Sequence, residues 1–243
     1  MRLPFLKRRE EPTVETQGWS SLFQSEDQIL VEQFKTFSAR FEYRADVLGC
    51  KVVAVTSAVA GEGKTVSAVK LAMNLALTGR KRVLLVDVDM RKSDLAKGLQ
   101  LPPVPGLSEF LSGSAKITDI ARNSLVPGLV VIPAGMRIAA PWELITGERF
   151  RAFLEKFRKH CGLIILDTPP MIPVSDTMAL RDLVDGFVLV YRLGFTPHPM
   201  LRQALEDIGE KKLLGVLLNG AAPQSERYYQ RYYGKYYTTR EAE

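Results

Sequence analysis

Residues 51–75 read KVVAVTSAVAGEGKTVSAVKLAMNL. The opening KVVAVTS (51–57) is a continuous apolar run, which marks a strand covered on both faces rather than one alternating between core and water. A helix is expected from Lys64 to about Thr78. Between them lies Ala58-Val59-Ala60-Gly61-Glu62-Gly63-Lys64-Thr65, close to the pattern G-x-x-x-x-G-K-[ST]. Glycines let backbone N–H groups close around a phosphate, and the helix N-terminus adds partial positive charge. The lysine reaches terminal phosphates and the threonine hydroxyl binds magnesium. The pattern has glycine where this chain has Ala58. A chance glycine-rich turn is the bland alternative, so the reading needs support from other segments.

Outward from that stretch, apolar runs alternate with amphipathic ones. Strands are expected at RVLLVDV (82–88), LVVIPA (129–134), GLIILD (162–167), GFVLVY (186–191) and KLLGVLLN (212–219), with helices near 148–159 and 198–209. A further helix is expected from Glu26 to Phe41, where Leu30, Phe34, Phe37 and Phe41 share a face. The fold class is therefore α/β, a mostly parallel sheet with helices on both faces. Residues 1–25 read as a flexible lead-in, 26–222 as one domain, and 223–243 as a tail.

Two more segments support the phosphate site. VLLVDVDMR puts Asp87 and Asp89 at the C-terminal end of the second strand, where open α/β sheets bind ligands. Strand alternation sends both carboxylates to one side, and beside a triphosphate they call for a cation or a proton transfer. LIILDTPP then ends a strand on Asp167, as a magnesium-organising aspartate should be placed. Thr168-Pro169-Pro170 stiffens the exit. Together the three segments imply a P-loop site for ATP and Mg2+.

Bulk properties set the limits. With 243 residues, 46% hydrophobic and 25% charged, the chain suits one sizeable domain. Lys+Arg 33 against Asp+Glu 27 gives +6, which favours an anionic ligand or surface but not nucleic acid without a localised basic face. Cys50 and Cys161 make a disulfide framework improbable. His160 and His198 are too few and too far apart for a metal site, and His160 suits a helix C-terminus. No apolar run approaches the ~18 residues of a membrane helix. The expected location is cytoplasmic, at the membrane only through a partner.

Taken together, Gly61–Thr65, Asp87–Arg91 and Asp167–Pro170 resemble the bacterial tyrosine kinases of capsule and exopolysaccharide export. That family shows GEGK[ST], then D-x-D-x-R, then D-[ST]-P-P, each after an apolar run. PGLSEFLSG (105–113), PAG (133–135) and GVLLN (215–219) are similar to it too. The resemblance implies a Min/Par-related P-loop fold unrelated to eukaryotic protein kinases. It implies nucleotide contacts from Gly61, Glu62, Gly63, Lys64, Thr65 and Val66, with Lys64 on the β- and γ-phosphates. Thr65, Asp89 and Asp167 would organise the metal. Asp87 would accept the tyrosine proton, although Asp89 is close enough to exchange roles with it. Arg91 would hold the acidic loop, a phosphate or a structural ion pair, and Asn219 would read the adenine.

The tail carries Tyr228, Tyr229, Tyr232, Tyr233, Tyr236 and Tyr237 among basic residues; as phosphoacceptors these would turn it acidic, and the alternative is an aromatic, basic tail that binds polysaccharide, RNA or an anionic membrane. The resemblance further implies a homo-oligomeric ring, a membrane-embedded chain-length regulator as activating partner and a tyrosine phosphatase. Without a membrane helix the chain resembles the split type of the family. Where the family has E-x-x-R-x-x-R, this chain has Glu32, Lys35 and Ser38, so a weaker ring is expected. Two rival readings stand: a partition-type ATPase, and a non-catalytic ATP-binding scaffold. Partition ATPases carry K-G-G-x-G-K-T, against which Val59 and Ala60 count.

Overall fold

A computed structural model describes residues 28–172 and 176–220. The lead-in 1–25 and all six tail tyrosines lie outside the described residues.

Seven strands are described: β1 (Val52–Ser57), β2 (Val83–Asp87), β3 (Arg122–Asn123), β4 (Leu129–Ile132), β5 (Leu163–Asp167), β6 (Gly186–Arg192) and β7 (Leu213–Asn219). They form one sheet in the order β3-β4-β2-β5-β1-β6-β7. All neighbours pair parallel except β3, which runs antiparallel to β4 through Arg122↔Val131. Every expected strand is present. β3 was not foreseen, because two residues carry no periodicity.

The strands are sandwiched because their side chains alternate between two apolar layers. Val53, Val55, Val83 and Leu85 face a cluster completed by α1 (Gln28–Val47) and α2 (Lys64–Leu77). Val52, Ala54, Leu84 and Val86 face the other cluster. There α4 (Leu107–Ser112), α7 (Glu148–Arg158) and α9 (His198–Ile208) supply Leu107, Phe150, Phe153, Phe157, Ala204 and Ile208. Burying an aromatic or branched side chain contributes roughly 1.5–3 kcal/mol. Most of the fold's stability therefore sits in these two layers, which hold the carboxyl ends of β1, β2 and β5 level.

α1 continues past the expected Phe41 to Val47, since Phe41 and Ala45 extend one buried face at i, i+4. The helices α3 (Leu95–Gly98), α5 (Ile117–Ile120), α6 (Trp142–Thr146) and α8 (Asp176–Ala179) were not foreseen. Each has four or five residues, too short to show a 3.6-residue period.

Candidate active site

The site is built where β1, β2 and β5 end. After β1 the chain must turn sharply into α2. Gly61 and Gly63 take positive φ of 88° and 91°, a region costly for side-chain-bearing residues. At Gly63 a Cβ would also stand 2.3 Å from Asn219 Nδ2. Gly63 is the N-cap of α2 and offers no side-chain cap, so the first-turn N–H groups are left for a ligand. Ala58 replaces the pattern's first glycine without harm. Its methyl packs in the core, and Gln100 is the only non-glycine with positive φ among the described residues.

Lys64 projects across the loop to the acidic strand ends. Its Nζ lies 3.2 Å from Asp89 Oδ2 and 3.4 Å from Thr65 Oγ1. Val66 follows, half-buried, in the first turn of α2.

β2 stops at Asp87, so Asp89 is not on the strand as alternation required. A tight turn takes over, closed by Met90 N–H to Val88 O at 2.9 Å and Asp89 N–H to Asp87 Oδ1 at 3.0 Å. Both carboxylates still reach the site. Asp87 is fully buried, accepts from Ser93 Oγ at 2.5 Å, and stands beside Asp167 in the β2–β5 register. Asp89 accepts Lys92 N–H on Oδ1 at 2.9 Å while its other oxygen meets Lys64. Arg91 Nη1 donates to Ala139 O at 2.7 Å, tying this turn to the segment after β4.

Buried hydroxyls fix the third segment. Thr168 Oγ1 donates to Val55 O at 3.1 Å, while Thr56 Oγ1 and Thr177 Oγ1 both donate to Pro169 O. Asp167 is buried, and its Oδ1 has no hydrogen-bond partner. An unpartnered buried carboxylate oxygen is costly, and a cation would satisfy it.

Crowding acidic side chains around one lysine shifts the titration of Asp87, Asp167 and Lys64. Burial, then the Asp167 charge, holds Asp87 well above the usual carboxylate range, against the Ser93 hydrogen bond. Burial pushes Asp167 up to about 6, against the pull of Lys64 and the Thr65 hydroxyl. Burial works to lower Lys64, but the charges of Asp167 and Asp89 outweigh it and its pKa is raised. The acidic excess suits a divalent cation. No three Asp, Glu, His or Cys side chains among the described residues converge as a ready-made metal cage. A site in which Thr65, Asp167 and a triphosphate share the ion fits that arrangement, since Mg2+ keeps waters and uses few protein ligands. Asp89, with both oxygens already bonded, fits a role through water.

Two further observations concern residues named from the sequence. The Glu62 side chain is fully buried and bonded to Val59, Arg192 and Thr196. Asn219, at the end of β7, donates from Nδ2 to Glu62 O at 2.8 Å and accepts Gly220 N–H on Oδ1 at 2.9 Å. One N–H and one lone pair of that amide remain for another partner. Sequence reading missed Ser93, Thr56, Thr177, Thr196 and Arg192. A hydroxyl residue six positions after Asp87 was the one local cue, for Ser93.

Fold and site define a P-loop nucleotide-binding α/β domain, and an AAA-domain family model matches residues 50–190. Tyrosine-protein kinase CpsD of Streptococcus agalactiae is 35% identical over 172 residues, covering 70% of this chain and 75% of CpsD. The solved BceF tyrosine kinase domain is 30% identical with a TM-score of 0.75, covering 84% of this chain and 82% of that one. Cell division ATPase MinD of Pyrococcus furiosus, 22% identical with a TM-score of 0.51 over 68% of this chain and 69% of its own, shares the fold. The chain belongs to the bacterial tyrosine-protein kinase family. It spans 28% of the length of the putative tyrosine-protein kinase EpsB of Ralstonia solanacearum, matched at 30% identity over 213 residues and 86% of this chain.

Proposed function

We propose that this chain is an ATP-dependent protein-tyrosine autokinase of capsule or exopolysaccharide assembly that phosphorylates its C-terminal tyrosines in trans. One observation carries the reading. Half-buried Lys64 and buried Asp87, Asp89 and Asp167 meet where the P-loop faces the ends of β2 and β5, in a chain related to named tyrosine kinases.

The geometry supports the following roles. Lys64 exchanges Asp89 for the β- and γ-phosphates, and the N–H groups from Gly61 to Val66 cradle them. Thr65 and Asp167 hold magnesium, with Asp89 acting through water. The chemistry the ion supplies is neutralisation of charge on the β- and γ-phosphate oxygens. Asp87 takes the tyrosine proton, a role that burial and the Asp167 charge support by holding its pKa above the usual carboxylate range. Arg91 holds the acidic turn against the Ala139 segment. The spare capacity of the Asn219 amide serves the adenine.

The acceptors are Tyr228, Tyr229, Tyr232, Tyr233, Tyr236 and Tyr237. No helix among the described residues is long and apolar enough to cross a membrane. Activation is assigned, on the family likeness, to a membrane-embedded chain-length regulator that places this chain at the inner membrane face, with a tyrosine phosphatase resetting the tail. Mixing an active tail-deleted chain with full-length Lys64→Met chain and Mg-ATP tests transfer in trans. Phosphotyrosine on the Lys64→Met tail is the expected result. A silent mixture, with wild type labelling normally, means transfer in cis.

A further inference from the structure

The Glu62 carboxylate is fully buried inside the P-loop and the phosphate chemistry does not use it. A buried carboxylate persists only when donors satisfy it, and the three donors here come from both sides of the site. Oε2 accepts Val59 N–H at 2.8 Å, from the start of the loop. Oε1 accepts Arg192 N–H at 3.1 Å, from the end of β6, and Thr196 Oγ1 at 2.5 Å, just before α9. The flanking glycines at positive φ turn this side chain inward. Three more contacts surround the same carboxylate, the first of them joining the same two regions and the last reaching the loop from β7. Arg192 Nη1 donates to Gly61 O at 3.2 Å, and its guanidinium stacks on the Phe195 ring at 4.9 Å. Asn219 Nδ2 holds the Glu62 carbonyl at 2.8 Å.

We infer that Glu62 is a positioning residue, a staple that fixes the P-loop arch to the β6–α9 junction so that its N–H groups stand in phosphate-binding shape before nucleotide arrives. The inference rests on the nucleotide-site reading above and gives the Glu62 side chain a part in it that the phosphate contacts do not. Its side chain consumes the Val59 N–H, so the cradle begins after that position. Without the staple the arch samples other shapes, and apparent affinity falls by the fraction of time the competent shape is present. If that fraction drops to about one tenth, the dissociation constant rises about tenfold.

The test titrates full-length wild type, Glu62→Ala, Glu62→Gln and Thr196→Val with a fluorescent N-methylanthraniloyl ADP plus Mg2+, and records the melting temperature of each without nucleotide. A staple predicts about tenfold weaker binding for Glu62→Ala and about threefold for Thr196→Val. Glu62→Gln falls between wild type and Glu62→Ala, because an amide oxygen keeps some of the bonds while its NH2 opposes a donor. KM for ATP rises in the same order with kcat at saturating ATP retained. Wild-type affinity in Glu62→Ala overturns the inference, as does a lowered melting temperature in Thr196→Val with affinity unchanged. If Glu62→Ala does not fold, Thr196→Val and Glu62→Gln decide alone by the same criteria. A wild-type chain that fails to bind the probe overturns the nucleotide-site reading itself, and the inference with it.

Discussion

Lys64 and its three carboxylates form a set with more negative than positive charge before any ligand arrives. The lysine is held by Asp89 at 3.2 Å, which keeps a half-buried cation paired beside the proposed phosphate cradle. Asp87 and Asp167 sit side by side in register, yet their surroundings differ: Asp87 has a donor on each oxygen, and Asp167 leaves Oδ1 open. That asymmetry supports the proposed division between a proton acceptor and a cation holder. Asp87→Asn should slow transfer by about 10²–10⁴-fold with nucleotide affinity kept, because general-base catalysis contributes on that order. Asp167→Asn should instead abolish the gain in nucleotide affinity that Mg2+ brings. Single-turnover transfer, and nucleotide titration with and without Mg2+, distinguish them. Equal loss of binding in both variants would contradict the division of roles.

Among the elements, the starts of the central strands are held as firmly as their ends. Asp185, just before β6, accepts Lys51 N–H at 2.7 Å and Val52 N–H at 2.8 Å, capping the entry to β1. Arg158 at the end of α7 grips the same carboxylate through both Nη atoms, at 2.8 and 2.9 Å. One side chain thus links β1, β6 and α7. Despite burial, the Arg158 bond and the two backbone N–H groups hold Asp185 below the usual carboxylate range. A carboxylate whose folded pKa is depressed stabilises the fold fully above its unfolded value near 3.9, and loses that contribution as pH falls through the folded value. Asp185→Asn should cost about 1–3 kcal/mol at pH 7. The gap in melting temperature between variant and wild type should close below about pH 4. A gap independent of pH would show that shape rather than charge matters there.

Strands such as KVVAVTS and GLIILD were legible because burial on both faces leaves unbroken apolar runs. The P-loop and Asp167 were legible because their chemistry is local in sequence. The Glu62–Thr196 and Arg158–Asp185 bonds were not, since their partners lie 134 and 27 residues apart and no periodicity records them.

Across the whole molecule, the sheet brings segments from distant parts of the chain to one edge and leaves α1 on the outside of one layer. On α1, Lys35 pairs with Glu32 of the same helix at 2.7 Å, and the buried Ser38 hydroxyl donates inward to Phe34 O at 2.8 Å. Neither residue therefore presents a free arginine-like fork to a neighbouring copy, which supports the proposal that a ring is weaker here than where arginines stand. The central claim is that this site moves the γ-phosphoryl group of ATP to tyrosine. Its most direct measurement is incubation of the full chain with γ-labelled ATP and Mg2+, beside Lys64→Met, followed by phosphotyrosine mapping. Label on the cluster from Tyr228 to Tyr237 in the wild type, lost in Lys64→Met, is the predicted result. Labelling of Lys64→Met at the wild-type rate would contradict the account.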